Sequence, residues 1–161
     1  MALADLAIEF GADDGDDLML ANRHIGERFI SLYWKHGQPY STGLPGSVSD
    51  VLVQNKGAQA AVVSAISAFR SNSPITSPQA AASLPGYQAL VSAVTATVSA
   101  QALKYLQNFG GGTDEFFFER ASAGRIRLKP GIAYCLRRFY PLIQQLARTH
   151  WIDHIKQNGR T

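Results

Sequence analysis

Apolar side chains recur along this chain mostly at intervals of three and four, the period of a helix. Leu18, Ala21, Ile25, Phe29 and Leu32 keep it and predict a helix from about Leu18 to His36, stopped by Gly37, Pro39, Gly43, Pro45 and Gly46. Ala58, Val62, Ala65 or Ile66, and Phe69 line a second helix, capped by Ser47 or Ser49 and ending near Arg70. Leu90 or Val91, Val94, Val98, Ala102 and Tyr105 or Leu106 mark a third, from Tyr87 to Phe109, which Gly110, Gly111 and Gly112 terminate. A last helix opens at Pro130 and Gly131 and runs to about Gln157. Ile132, Leu136, Phe139, Ile143, Leu146 and His150 form its apolar stripe, with Arg137, Gln144 and Arg148 on the far side and Arg138 at the flank. Pro141 lacks an N–H and clashes with the preceding turn, so it must kink this helix or split it.

Shorter elements fill the gaps. Residues 2–10 form an amphipathic helix that Gly11 ends, and Asp16 or Asp17 of the following linker is placed to cap the next helix. Ser77 followed by Pro78 has the order of an N-cap and first helical residue. Between Phe116 and Lys129 the period changes to two: β-favouring Phe116–Phe118 precede alternating Arg125, Ile126, Arg127, Leu128 and Lys129. This predicts a hairpin, 115–119 with 125–129, turning at Ala121 to Gly124 and lying on the helices. The expected fold is mainly α: one domain over 1–161, an irregular bundle of four to six helices with one small β-hairpin at about 115–129.

Composition adds little to that frame. Apolar residues make up 46% of the chain, mean hydropathy is −0.06 and charged residues reach only 17%. An average domain carries about 25%, so the surface leans on Ser, Thr, Gln and Asn or meets a partner. Cys135 is the only cysteine, which excludes an intrachain disulfide and fits a reducing compartment. No basic leader precedes a hydrophobic run, and Leu84 to Leu103 is too interrupted to span a membrane. A cytoplasmic location is expected, with no membrane association.

Charge changes the picture more. From Arg120 onward nine cations (Arg120, Arg125, Arg127, Lys129, Arg137, Arg138, Arg148, Lys156 and Arg160) face one anion, Asp153. Before Arg120 there are six cations and eleven anions, four of them at Asp13, Asp14, Asp16 and Asp17. A cationic end of this kind favours a polyanion, most often nucleic acid, through counterion release. The competing readings are a solvated face or a contact with the chain's own acidic half. Trp34, Trp151, Tyr33, Tyr40, Tyr134 and Tyr140 are candidates for stacking on bases, although each ring taken singly is better read as a packing group. No recognition helix of a standard motif is legible.

Catalytic chemistry finds no foothold. His150 and His154 are spaced to face one metal, but a zinc site needs a third protein ligand and the intervening residues lack a glutamate base. Their place near the apolar stripe favours buried or partner-facing rings. Cys135 reads as a core thiol, since no histidine partner is identified. No GxSxG, P-loop or GxGxxG occurs. No catalytic residue, metal site or cofactor is expected.

Three segments carry a resemblance. RFISLYWKHGQPY (28–40), VLVQNKGAQAAVVSAISAFR (51–70) and FFFERASAGRIRLKPGIAYCLRRFYPLIQQLARTHWIDHIKQN (116–158) resemble the helical N-terminal region of a bacterial family of HNH endonucleases. In that family a nuclease module with a CxxC-type zinc framework and a DH…N…H metal site follows. These 161 residues hold no such module, so the resemblance implies a DNA-associated role in defence or mobile-element biology and no catalytic residue here. The expected function is a non-catalytic domain that positions a nuclease or another partner on DNA. Arg120, Arg125, Arg127, Lys129, Arg137, Arg138 and Arg148 would contact phosphates. The alternative is a protein–protein or homo-oligomerisation module without nucleic acid.

Overall fold

Helix α1 (Ala2–Phe10) leads through an acidic loop to strand β1 (Leu18–Ala21) and helix α2 (Asn22–Tyr33), which tightens into a 3-10 turn, Trp34–Gly37. Helices α3 (Ala61–Asn72), α4 (Pro78–Ala81), α5 (Tyr87–Ala100) and α6 (Ala102–Leu106) follow. Strands β2 (Asn108–Phe109), β3 (Gly112–Thr113), β4 (Phe118–Arg120) and β5 (Arg125–Leu128) come next, and helices α7 (Ile132–Arg138) and α8 (Tyr140–Asn158) finish the chain. This computed structural model describes residues 1–38, 59–73, 75–122 and 124–158. The predicted loop Pro39 to Gly46 with Tyr40, the Ser47 or Ser49 cap, the helix before residue 59 and Arg160 lie outside the described residues.

The mainly α prediction holds, and the details depart from it where two segments far apart in sequence meet. LMLA (18–21) keeps the helical spacing of its neighbours, yet it pairs antiparallel with β5, Leu18 opposite Leu128 and Ala21 opposite Arg125. A four-residue apolar run does not reveal its own period, and its partner lies over a hundred residues away. The hairpin β4–β5 forms as expected within 115–129, Phe118 opposite Leu128, so the sheet has three strands in the order β1-β5-β4. Helix α2 starts at Asn22 with Ala21 as N-cap and no side-chain cap, so neither Asp16 nor Asp17 fills that role. The predicted helix to Phe109 ends at Ala100. Gln101 breaks it, and the glycines make a hairpin turn: Gly110 (φ 60) and Gly111 (φ 92) join β2 to β3. Two positive φ values in a two-residue loop suit the twist of a β-hairpin, which glycine supplies without strain.

Other expectations stand. Ser77 accepts a hydrogen bond from the Ala80 amide, with Pro78 in the first turn of α4. Pro141 splits the last helix at Phe139 (φ −100, ψ 15). That break resets the helical phase, so the single stripe predicted from Ile132 to His150 does not continue. Ala133 and Leu136 are buried on α7, whereas on α8 the inward side is Ile143, Ala147 and Trp151, leaving Phe139, Leu146 and His150 exposed.

The core lies between α2 and α5, with α1 and α3 against them and the sheet closing one end. Ile25, Ile30, Trp34, Ile66, Val91, Val94 and Val98 meet there with the sheet's inner residues Leu20, Ile126 and Leu128. Ser92 and Thr97 of α5 return their hydroxyls to the preceding turn, at the Gln88 and Ala93 carbonyls, so they do not break it. Close approach of α2 to α5 depends on Gly26. A methyl group there would sit 3.1 Å from the Thr95 Cα, a backbone atom that cannot swing aside. Gly26→Ala gains about 1 kcal/mol of helix propensity, but overpacking costs about 1–3 kcal/mol. The expected outcome is a net loss of up to about 2 kcal/mol in denaturant unfolding; a higher midpoint would contradict this packing.

Candidate nucleic-acid interface

The sheet decides which way its cations point. On β5, Ile126 and Leu128 are buried while Arg125 and Arg127 face out. Antiparallel alternation puts Arg127 beside Glu119 on β4 and opposite Met19 on β1. One buried polar side chain fastens β4 to the helices: Gln107 is only 3% exposed, and its Oε1 accepts from the amides of Phe117 (3.0 Å) and Phe118 (2.9 Å). Sequence patterning did not single it out, because a glutamine at a helix end looks like any surface residue.

The structure sorts the seven predicted contact residues into three groups. Arg127 and Arg137 are engaged inside the molecule. Arg127 pairs with Glu119 and lies 3.9 Å from Asp17. Arg137 donates to Asp13 at 2.7 Å and to the carbonyl oxygens of Ala7 (3.1 Å) and Ile8 (2.9 Å), closing the C-terminal end of α1. A guanidinium there offsets the negative end of the helix and supplies donors to orphan carbonyls. The acidic loop therefore meets part of the chain's own basic third. Gly131 tightens this contact by donating its amide to the Gly15 carbonyl at 2.8 Å.

Arg120 and Arg125 form the second group. Both line a cleft of about 180 Å³ with Asn22, Ser99 and Ser122, between the β4–β5 turn and the end of α5. Arg120 reaches the Ser99 carbonyl at a long 3.4 Å, and neither arginine has an acidic partner among the described residues. Two cations, two hydroxyls and an amide around a space of this size suit one oxyanion. The Asn22 amide donates to Ser99 Oγ at 3.2 Å, while its Oδ1 is buried without a partner.

Lys129, Arg138 and Arg148 make up the third group and have no ion-pair partner among the described residues. Arg138 is exposed and adds electrostatically to the field on Asp13. Arg148 projects from α8 beside Trp151 and Tyr33 and lines an aromatic cavity. The start of α8 is tied to α1 by Tyr140, whose hydroxyl donates to Asp5 at 2.7 Å; that bond, with burial, raises the phenol's pKa.

The other candidates fall elsewhere. His150 and His154 are exposed, which removes the buried half of the expectation that they are buried or partner-facing, and His154 packs near Trp151. No cluster of three metal-ligating side chains occurs among the described residues. Cys135 is exposed and so is no core thiol. No helix of the described residues is long and apolar enough to cross a membrane. No protein-family model, curated protein or solved structure matches the chain.

Arg137 also sets a pH dependence. Its hydrogen bond holds the Asp13 carboxyl below the ordinary 3.8, with partial desolvation opposing. A depressed carboxylate contributes stability above its unfolded pKa and loses it as pH falls through the lower folded value. Asp13→Asn is expected to destabilise the protein near neutrality, with the gap closing as pH falls through the lowered folded-state value. Denaturant midpoints followed from neutrality into acid check this; a gap that widens in acid contradicts the contact.

Proposed function

We propose that this chain is a non-catalytic helical domain that holds a nuclease or another partner on DNA by contacting the phosphate backbone. The carrying observation is the set Arg120, Arg125, Lys129, Arg138 and Arg148, which have no ion-pair partner among the described residues although four aspartates are gathered in the loop Asp13 to Asp17. Backbone contacts of this type fix position without reading sequence, in keeping with the lack of a recognition helix. The three segments resembling an HNH endonuclease N-terminal region support the same reading, and a role in genome defence belongs to it. Fluorescence anisotropy against a short labelled duplex at ~50 mM salt tests it, because counterion-driven binding is strong there. Saturable binding is expected, and its absence overturns the proposal.

A second reading, a protein–protein or oligomerisation module, is favoured by α8. Phe139 at the break before it and Leu142 and Leu146 on one flank of it are 54%, 53% and 50% exposed, an apolar ridge with no cover among the described residues. Light scattering separates the readings: a stable dimer that ignores DNA favours this one, and a DNA-binding monomer the first.

A further inference from the structure

A cavity of about 390 Å³ opens between the start of α1, the end of α2 with its 3-10 turn, and α8. Small-ligand pockets span roughly 300–1,000 Å³, so the space fits one compact molecule and is too small for a helix. Aromatic rings make its walls. Trp151 stands edge-on to Tyr33 (centroids 5.5 Å, 84°) and to His36 (5.2 Å, 83°), and Phe29 stacks on Tyr33 at 5.9 Å and 19°. Rings packed only for stability leave no such space: Trp34 is 2% exposed, held by Phe69, the Arg70 guanidinium and a hydrogen bond to the Thr76 carbonyl.

The polar groups at the cavity are few and come mainly from one helix. Gln144 and Arg148 are one turn apart on α8, and Trp151 follows on the same side. Arg148 has no acidic partner among the described residues. His36 adds no competing charge near neutrality, because burial lowers its pKa, opposed by the Leu32 carbonyl. A ring-lined apolar space beside a guanidinium that has no ion-pair partner among the described residues suits an aromatic ring that carries an anionic group. A quaternary ammonium, the other common guest of aromatic walls, would be repelled by Arg148.

We propose that this cavity receives one unpaired nucleotide, its base against Trp151 and Tyr33 and its phosphate on Arg148. The inference rests on the DNA-binding reading and narrows it: the domain prefers single-stranded or frayed ends, since a base inside a duplex cannot enter. The same chemistry is offered by a free nucleotide, so the test must separate the two sources.

Tryptophan fluorescence provides the direct readout, because Trp34 and Trp151 are the only tryptophans and Trp34 is buried. The intact chain is titrated with an oligodeoxyadenylate, with deoxyadenosine 5′-monophosphate and with a duplex of the same length. Saturable quenching by the oligonucleotide, absent from Trp151→Phe, is expected. Anisotropy should show that Trp151→Ala weakens the single strand about tenfold and leaves duplex affinity within about twofold, while Arg148→Gln weakens the single strand about tenfold and the duplex only by the about three- to fivefold that one lost phosphate contact gives. Arg148 is exposed, so its variant keeps the test valid if Trp151→Ala unfolds. Quenching by the mononucleotide at similar concentration supports the cavity and makes a free nucleotide its ligand. Duplex binding with no quenching by either single-stranded probe overturns the cavity proposal and leaves DNA binding in place. Mononucleotide quenching without any DNA binding upholds the cavity and removes the DNA reading.

Discussion

Replacing Gln107 by methionine is expected to lower stability by about 2–5 kcal/mol. Methionine fills a similar volume but offers no oxygen, so the amide of Phe118 loses its acceptor where it is buried and that of Phe117 where it is part-buried. Each orphaned N–H costs about 1–3 kcal/mol, which for a chain of this length lowers Tm by roughly 5–15 °C. The loss falls on the joint between α6 and β4. The same residue also accepts the Asp114 amide through its own carbonyl at 2.9 Å, a bond that methionine keeps. Thermal unfolding followed by circular dichroism measures the effect; a Tm within about 2 °C of the parent contradicts the role given to Gln107.

The second large effect separates cations that are free from cations that are not. Arg120→Gln with Arg125→Gln removes two side chains that line an open cleft without acidic partners among the described residues. Duplex affinity is expected to fall about 10–30-fold at ~50 mM salt, with the salt slope smaller by about 2. Arg127→Gln with Arg137→Gln removes the same formal charge but breaks contacts to Glu119, Asp13 and the α1 carbonyls. That pair is expected to lower stability while changing affinity by no more than about threefold, because its charge is already compensated locally. Equal losses of affinity from both pairs would show that net charge, not the sorting by partner, governs binding.

Much of this was legible where chain neighbours decide the outcome. The alternation of Arg125, Ile126, Arg127 and Leu128 gave a strand with its cations outward, and Ser77 with Pro78 gave a helix start. Pro141 announced the break before α8, since the missing N–H acts locally. The rest depends on partners distant in sequence. Leu18–Ala21 has no strand signal of its own and becomes one only against β5. Asp13 and Arg137 are separated by 124 positions, so charge counting named both without showing that they meet. Tyr33, Arg148 and Trp151 were each visible as aromatic or cationic residues; only the packing of α8 against α2 gathers them around one space. Gly110 and Gly111 look like a helix stop from the sequence, because a glycine run ends a helix as readily as it turns a hairpin.

The most direct measurement is the salt dependence of duplex binding by the unaltered protein. With Arg120, Arg125, Lys129, Arg138 and Arg148 as the phosphate contacts, log K against log salt should fall with a slope of about −4 to −5. All seven cations would give about −6, which would deny the internal engagement of Arg127 and Arg137. A flat dependence, or no binding at ~50 mM salt, would contradict the account at its root.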